Sequence, residues 1–347
     1  MGESRMQPTM KDVAKRAGVS QPTVSHVING TASISEGVVK RVNEAIEELG
    51  YVPNAMAKGL KTHKSQIIGI LVPNVGISFY GEMVKAIETL LRKKGYIMFL
   101  CDTFYNSRLE LDYIESLIQH NVLGVISGSD LLEDKSYALL KKHNIPLVTL
   151  DSRLDNDKGL NVHIDNEMLA RMAVSHLYDV GARVISYCSE PMVVSVLENR
   201  YAYFKQAVQE FGLEFDEKRC FIAQNPYDDY NKMKMGYNIA ANILLHDNID
   251  AVFASSDEFA FGIVSRLREH GVDIPQQMLI MGCDNDPFSK MICPPLTTIW
   301  QPISKMAEIG VSMLTKVFKG ETIEEPSVCL EPNIIIREST LKIRTQK

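Results

Sequence analysis

The sequence has no apolar run near the roughly 20 residues that a membrane-spanning helix needs. Its beginning, MGESRMQPTMKDVAKRAG, also lacks the continuous apolar stretch of a secretory signal. No two cysteines have the C-x-x-C spacing of a metal or redox site. They stand singly, at Cys101, Cys188, Cys220, Cys283, Cys293 and Cys329. We therefore expect a cytoplasmic protein whose thiols are reduced and mostly buried.

Motifs for catalysis are missing as well. The chain has no G-x-x-x-x-G-K-S/T loop, no G-x-G-x-x-G after a strand, no G-x-S-x-G and no metal-spaced cluster of histidines and cysteines. We expect no catalytic residue, no cofactor and no metal. An enzyme stays a remote alternative, because carboxylates gathered in a cleft can perform acid-base chemistry.

The net charge of −6 argues against a nucleic-acid partner, but the charge is unevenly distributed. The first 66 residues contain nine Lys and Arg against six Asp and Glu, a net charge of +3, whereas the remainder has a net charge of −9. A basic head on an acidic body fits a phosphate-binding module joined to a part that does not bind DNA.

The basic head starts with helix signals. Thr9-Met-Lys-Asp12 has the form of a capping box, and Gly18 can end the helix in a left-handed conformation. Ser20 can cap a second helix, which Asn29-Gly30 ends. The pattern predicts two short helices joined by a tight turn.

A third helix is predicted from Ser35 to Gly50. The apolar residues that face a common core are Val13, Ala14, Ala17, Val19, Val24, Val27, Ile28, Val38, Val39, Val42, Ala45, Ile46 and Leu49. The exposed side of the second helix then holds Gln21, Pro22, Ser25, His26 and Asn29, which are candidate DNA readers. The alternative is a generic three-helix bundle whose exposed polar residues have no task.

The next segment, YVPNAMAKGLK, runs from Tyr51 to Lys61 and spans only about two helical turns. Such a helix is too short to be stable alone in water, so we expect it to need a partner. From Met10 through Pro73 the pattern MKDVAKRAGVSQPTVSHVINGTASISEGVVKRVNEAIEELGYVPNAMAKGLKTHKSQIIGILVP strongly resembles the lactose/galactose repressor (LacI/GalR) family.

In that family the short segment is a hinge helix that folds on operator DNA, pairs with its dimer mate and inserts a leucine into the minor groove. The resemblance gives this role to Leu60, flanked by Ala57 and Lys61. An apolar wedge can unstack a base step and kink the duplex. Ordinary packing of Leu60 against the body is the alternative.

The resemblance also implies which residues of the head contact DNA. Its base-reading positions fall on Gln21, Pro22 and His26, with Ser25 nearer the backbone. His26 can donate to a guanine, whereas Pro22 offers only apolar contact. Contacts to phosphates, which fix register without reading sequence, are expected from Thr9, Ser20, Thr23 and Asn29.

After Gln66 short apolar strands alternate with longer amphipathic segments. The nine strands before Asp286 are QIIGILVP, YIMFLCDT, VLGVISGS, IPLVTLDS, NVHID, ARVISYCS, RCFIAQ, AVFASSD and LIMGCD. This α/β alternation predicts parallel sheets covered on both faces. Nine strands fit two doubly wound lobes, which bind ligands beyond the carboxyl ends of their strands.

The resemblance continues through the body, whose fold is then that of type I periplasmic sugar-binding proteins, as a homodimer. Its marks are VHIDN at residues 162–166, Ser256-Asp257, MGCD at 281–284, PLTTIWQP at 295–302 and REST at 337–340. The chain is expected to cross between lobes near residues 165, 298 and 329. The predicted domains are the helix-turn-helix (1–53), the hinge helix and linker (54–65), the N-terminal lobe (66–164 and 299–328) and the C-terminal lobe (165–298 and 329–343).

Polar and aromatic residues follow the strands, where an effector would lie. The candidates are Phe79, Tyr80, Asp102, Arg153, Asp165, Arg200, Tyr230, Asp257 and Asp284. Carboxylates and an arginine can share the hydroxyls of a sugar while an aromatic ring covers its apolar face. Arg200 and Asp284 match the principal effector-contacting positions of the family. For Asp165 and Asp257, strand-end capping or hinge hydrogen bonding is the equal alternative.

Three details of the sequence leave the identity of the effector open. Asn231 competes with Tyr230 for the position of an aromatic clamp, and Tyr203 and Ser256 replace a Gly and an Asn that are usual in the family. The sequence thus predicts a homodimeric DNA-binding transcription regulator, a repressor by resemblance, controlled by a sugar or sugar derivative. A protein co-regulator or a nucleoside or purine ligand is the alternative. A solute-binding protein for a transporter has no use for the DNA-reading head.

Overall fold

The computed structural model describes residues 8–51, 65–128, 134–152, 159–224, 231–246 and 248–341. The chain forms two compact units, a head of residues 1–65 and a body of residues 66–347. Among the helices in these ranges, none is long and apolar enough to cross a membrane.

Three helices form the head: α1 (Met10–Ala17), α2 (Gln21–Asn29) and α3 (Glu36–Leu49). The predicted capping box is present, because the Thr9 N–H donates to the Asp12 carboxylate at 2.8 Å and the Asp12 N–H donates to the Thr9 hydroxyl. Gly18 follows α1 at φ 65°, which side chains disfavour, and so allows the tight turn into α2. The predicted helix, turn and helix are confirmed.

The head buries one small apolar core. Val13, Val24 and Val42 are fully enclosed, and the ring of Tyr51 packs at the edge. The predicted inward-facing residues belong to this core or pack against it, with the exception of Val39. Val39 is half-buried and flanks the core-facing side of α3, in a shallow groove beside Glu36 and Lys40.

The body alternates strands with helices. Its strands are β1 (Ile67–Val72), β2 (Ile97–Asp102), β3 (Gly124–Ser127), β4 (Leu147–Leu150), β5 (Leu160–Ile164), β6 (Ile185–Ser189), β7 (Phe221–Ile222), β8 (Ala251–Ala254), β9 (Leu279–Asp284), β10 (Thr297–Trp300), β11 (Ser327–Leu330) and β12 (Asn333–Ile335). Its helices are α4 (Ser78–Lys93), α5 (Ser107–Gln119), α6 (Asp134–Lys142), α7 (Asn166–Asp179), α8 (Ser195–Glu210), α9 (Lys232–Ile243), α10 (Asp257–Glu269) and α11 (Ile303–Phe318). All nine strands predicted before Asp286 are present.

The strands form two six-stranded sheets, one in each lobe. Lobe one has the order β11-β5-β4-β3-β1-β2, and lobe two has the order β12-β10-β9-β8-β6-β7. The described pairs are parallel except β10 with β12. Every residue of β4 and of β8 is buried, as expected for strands covered on both faces.

Helices α9 and α10 of lobe two pack unusually close. A Cβ at Gly236 would lie 2.0 Å from the Phe259 carbonyl oxygen, and one at Gly262 would lie 1.9 Å from that of Met233. Only glycine fits at these two positions, and the contact fixes the N-terminal end of α10 against α9.

The chain passes between the lobes three times. The first crossing, at Asp165 between β5 and α7, lies where the sequence predicts it. The second follows β10, because Trp300 still pairs with Asp284 in lobe two. The third follows β11, because Leu330 still pairs with Ile164 in lobe one. Sheet pairing thus carries β10 to Trp300 and β11 to Leu330, in the neighbourhood of the crossings predicted near 298 and 329.

Candidate functional site

Helix α2 presents three of the predicted base-reading side chains to solvent, those of Gln21, Pro22 and His26. The His26 ring is held by Thr31, whose hydroxyl lies 2.9 Å from Nδ1. This contact engages Nδ1 and leaves Nε2 as the ring nitrogen for the predicted contact with a base, which stays a prediction.

Ser25 and Asn29 differ from their expected positions. Ser25 is only 8% exposed, so the prediction that it lies on the open side of α2 is wrong. The cause is Asn29, whose amide donates to the Ser25 carbonyl oxygen at 2.7 Å and to its hydroxyl at 3.3 Å. These bonds stabilise the last turn of the helix. A contact of either residue with DNA stays a prediction.

Two of the head residues expected to contact phosphates, Thr9 and Ser20, already serve as helix N-caps. The Thr9 hydroxyl donates to Asp12 at 2.6 Å, and the hydroxyls of Ser20 and Thr23 lie 2.8 Å apart. Their binding to phosphates stays a prediction. Five other predicted site residues fall outside the described ranges: Ala57, Leu60, Lys61, Arg153 and Tyr230.

A cleft lies between the two lobes of the body. It is lined by Phe79, Tyr80, Tyr105, Gly128, Asp151 and Ser152 of lobe one, by Glu190, Val194, Val196, Leu197, Arg200, Lys232, Ser255 and Asp284 of lobe two, and by Gln301 at the second crossing. Four predicted effector residues therefore share one cavity, namely Phe79, Tyr80, Arg200 and Asp284. Its volume of about 40 Å³ holds only a few water molecules.

Arg200 lies deep in the cleft and is 3% exposed. Its Nε donates to the Asn166 side chain at 3.1 Å, and its Nη1 donates to the Ser255 carbonyl oxygen at 2.9 Å. Helix α8 delivers the residue, and bonds to the start of α7 and the end of β8 fix the guanidinium. The side chain is therefore held in place before any ligand binds.

Asp284 ends strand β9 beside Arg200 and Lys232. Burial raises the pKa of its carboxyl from 3.8 to about 6, although both cations oppose the shift. Gln301 donates to its Oδ1 at 2.7 Å. Because Gln301 occupies the second crossing, this bond ties the cleft to the segment that joins the lobes.

A buried ion pair on the lobe-two wall is missing from the sequence prediction. The Lys232 ammonium lies 2.6 Å from the Glu190 carboxylate, and Ser255 donates to the other oxygen of Glu190. Burial would raise the pKa of Glu190, but Lys232 outweighs it and the pKa is lowered. Glu190 directly follows strand β6, so the strand-end rule that selected Asp284 could have found it; no sequence signal marks Lys232.

Two buried polar atoms in the cleft have no hydrogen-bond partner among the described residues. They are the Ser152 hydroxyl and the Gln301 Oε1, each in a residue that is 2% exposed. Unpaired buried polar atoms are costly, so a native site with such atoms calls for an explanation. A ligand that carries hydroxyl donors would satisfy both.

Three predicted effector residues do not line the cleft. Asp102 accepts the Val75 N–H at 3.0 Å, and Asp165 caps α7 through the Met168 N–H at 2.8 Å. Asp257 is fully buried and accepts bonds from Ser289, Thr298 and the Asp286 N–H. Burial and the neighbouring Asp284 raise the pKa of Asp257. Capping and loop bonding therefore account for their carboxylates, and a contact with the effector stays a prediction.

In the described ranges, no three histidine, cysteine or acidic residues form a cluster that could hold a metal ion. Asn231, the alternative to Tyr230 as a clamp, caps α9 by accepting the Lys234 N–H at 2.9 Å. Its side chain is thereby engaged at the helix start.

Family models match two parts of the chain. The model for bacterial regulatory proteins of the lacI family matches residues 9–54, and that for a periplasmic binding protein-like domain matches residues 174–340. The two matched regions correspond to the head and to most of lobe two, with the second match reaching into lobe one through α11 and β11.

Curated relatives match almost the whole chain. The HTH-type transcriptional regulator RegA of Clostridium saccharobutylicum is 31% identical over 97% of this chain and 100% of its own length. The ribose operon repressor of Halalkalibacterium halodurans is 32% identical over 96% of this chain and 97% of its own. A periplasmic binding protein/LacI transcriptional regulator from Alkaliphilus metalliredigens, solved with D-xylulofuranose, is 31% identical with a TM-score of 0.70 and covers 80% of this chain and 100% of its own.

Proposed function

We propose an effector and a mode of control on the premise that this chain belongs to the lacI family of bacterial transcription regulators. An uncharged sugar binds between the two lobes and changes the affinity of the head for an operator. The curated relatives are transcription regulators, and the chain carries both halves of such a protein: a DNA-reading head and a ligand cleft. Because the relatives include a ribose operon repressor, we propose that this protein represses transcription.

The observation that carries the sugar assignment is the pair of unpartnered buried atoms, the Ser152 hydroxyl and the Gln301 Oε1, in the cavity that Tyr80 also lines. Sugar hydroxyls can donate a hydrogen bond to the Gln301 oxygen, and they can donate to the Ser152 hydroxyl or accept from it. The aromatic rings of Phe79 and Tyr80 offer an apolar surface for the C–H face of the same molecule. The cleft thus offers an apolar surface for the sugar ring and polar atoms for its hydroxyls.

The charges of the cleft favour a neutral ligand. Among its described lining residues two cations, Arg200 and Lys232, face three carboxylates, those of Asp151, Glu190 and Asp284. Lys232 is already paired with Glu190, so little positive charge remains for a phosphate or a carboxylate. Burying an anionic ligand without a matched cation is costly. A sugar phosphate is therefore disfavoured relative to the free sugar.

Entry of the sugar requires the lobes to separate, because the cavity of about 40 Å³ is far below the roughly 300–1,000 Å³ of typical ligand pockets. Opening and closing of two lobes is a known way to couple a ligand to a distant site. Binding to the cleft and binding to DNA must then influence each other equally.

We also propose a homodimer, in which two heads bind two half-sites of a near-palindromic operator. In support, the edge strand β2 exposes Ile97 and Leu100, with 52% and 40% of their surfaces accessible. An apolar edge strand invites pairing unless another surface covers it. We propose that a second copy of the chain covers this edge strand.

Because its partner is DNA, we propose that the protein acts in the cytoplasm. We assign the protein no catalytic step.

Thermal unfolding of the full-length protein tests the sugar assignment, since a ligand that binds the folded state raises the melting temperature. The ligands are D-ribose, D-xylulose, ribose 5-phosphate, guanosine and hypoxanthine. We expect a rise with a free sugar, none with the phosphate, and loss of the rise in Asp284→Ala. Asp216→Ala, which removes an acceptor of the Lys218 N–H outside the cleft, is the matched control and should retain it.

The other outcomes are equally informative. A rise with guanosine or hypoxanthine alone would replace the sugar by a purine or nucleoside. No rise with any of these compounds would move the proposal to a protein co-regulator. Turnover of a sugar by the pure protein would instead indicate an enzyme.

A further inference from the structure

We infer that Glu258 of lobe two is a positioning residue that caps helix α4 of lobe one and so holds the lobes together over the cleft. The Glu258 carboxylate accepts a hydrogen bond from the Ser78 N–H at 2.7 Å, between residues 180 positions apart in the sequence. Both residues are half-buried. The bond crosses from one lobe to the other without passing through any of the three connecting segments.

Helix α4 has no cap of its own. The residue at its N-cap is Ile77, whose side chain cannot accept a hydrogen bond, and the first turn contains no acidic residue. The first N–H groups of a helix have no partner within the helix and carry partial positive charge. Glu258 provides the acceptor and the negative charge that the lobe-one sequence lacks.

The same carboxylate also lies in the first turn of its own helix, α10. The positive ends of α4 and α10 therefore approach each other with one anion between them. Without that charge the two helix ends would repel each other at close range. Glu258 thus makes contact between the lobes favourable at a point where two helix dipoles oppose it.

Each end of the contact is firmly anchored in its own lobe. On the lobe-one side, Asp102 accepts the Val75 N–H and fixes the turn that leads into α4. On the lobe-two side, Asp257 is bonded to Ser289 at 2.5 Å and to Thr298 at 2.6 Å, which fixes the start of α10. A movement of one lobe is therefore transmitted to this bond and is not absorbed by the flanking backbone.

The contact has a direct consequence for the cleft. Phe79 and Tyr80 follow Ser78 in α4 and line the cavity. Capping α4 from lobe two sets the distance between these rings and the charged wall that carries Arg200. When the lobes separate, the Ser78 N–H loses its bond to Glu258 and becomes exposed to water. The bond therefore favours the closed arrangement, and its loss should raise the open population about three- to tenfold.

Residue-resolved hydrogen exchange of the full-length protein tests this role without any effector. Helix amides later in α4 have intrahelical acceptors, whereas the Ser78 amide depends on Glu258. We expect the Ser78 amide to exchange about three- to tenfold faster in Glu258→Ala than in the wild type. Glu258→Gln keeps an acceptor without the charge and should give an intermediate rate. Glu88→Ala removes a carboxylate of α4 itself that pairs with Arg92 within the same helix, and it should leave the exchange rate of the Ser78 amide unchanged.

Two results would overturn the inference. One is an unchanged Ser78 rate in a Glu258→Ala protein whose α10 amides remain protected. The other is faster exchange throughout α10 with no change at Ser78, which would make Glu258 a stabiliser of its own helix only. Neither readout involves a sugar, so failure here is distinct from failure of the proposed effector.

Discussion

The head and the body hold their candidate recognition residues in opposite environments. Gln21 and His26 lie exposed on a short helix that a serine hydroxyl caps at its start, whereas Arg200 and Lys232 are buried among carboxylates. An exposed reader contributes little to folding, so it can change without loss of structure. A buried charge is inseparable from the stability of its lobe. Substitutions in the head should therefore change DNA binding without changing stability. Substitutions of the buried charges in the body should change ligand binding and stability together.

Lys232→Met is expected to have the largest effect on stability. It leaves the Glu190 carboxylate, which is 1% exposed, without its cation, and removing one partner of a buried pair costs about 3–5 kcal/mol. Chemical denaturation should show this loss, and adding Glu190→Gln should recover much of it. Lys305→Met breaks an exposed pair with Glu308 and serves as the control. A loss no larger than that of the control would mean that the pair is solvated.

Asp284 should make the stability of the body depend on pH. Its folded pKa of about 6 exceeds the ordinary 3.8, so the folded state binds an additional proton between these values. Relative to Asp284→Asn, the wild type should lose unfolding free energy on the order of 3 kcal/mol as the pH rises through that window. Denaturation curves across this pH range measure the difference. Parallel profiles for the two proteins would contradict the raised pKa.

A smaller effect is expected from Thr9→Ala in the head. The substitution removes the capping box of α1, and such caps contribute about 1 kcal/mol. Hydrogen exchange of the α1 amides should accelerate while the body is unaffected. Thr89→Ala, within α4, removes a hydroxyl that bonds only the Lys85 carbonyl oxygen and should have no comparable effect. Equal effects of both changes would argue against the cap.

The smallest effect on stability is expected from His26→Ala, within about 0.5 kcal/mol. The same change should lower discrimination at one operator base pair by about 1–3 kcal/mol, as measured with a panel of single-base variants of a selected operator. Thr31→Val should weaken the same discrimination, because it removes the hydroxyl that holds Nδ1. His143→Ala, exposed in the body, is the control. An unchanged preference in His26→Ala would remove this residue from base reading.

Local signals of capping and periodicity predicted the head well. Thr9, Asp12 and Gly18 act within a few residues of each other, so their roles can be inferred from spacing alone. Ser25 was misplaced because helical periodicity does not reveal that Asn29 folds back over it. The alternation of apolar strands and amphipathic segments predicted the nine strands before Asp286 but not their order within the two sheets, which depends on pairing between distant segments.

The cleft was predicted only in part, because its partners come from distant segments. Rules for strand ends selected Asp102, Asp257 and Asp284 equally, and only the fold shows that the first two bond to nearby backbone and hydroxyl groups. Lys232 had no signal, since its role depends on a carboxylate that is 42 residues away in sequence. The cap on α4 by Glu258 likewise arises only when the two lobes meet.

The most direct test of the account is the affinity of the full-length protein for an operator selected from random DNA, measured with and without a saturating sugar identified by thermal unfolding. Coupling of the two sites predicts a change of about 5- to 150-fold, absent in Asp284→Ala and retained in Asp216→Ala. An operator affinity that is the same with and without the bound sugar would contradict the central claim that the cleft controls the head.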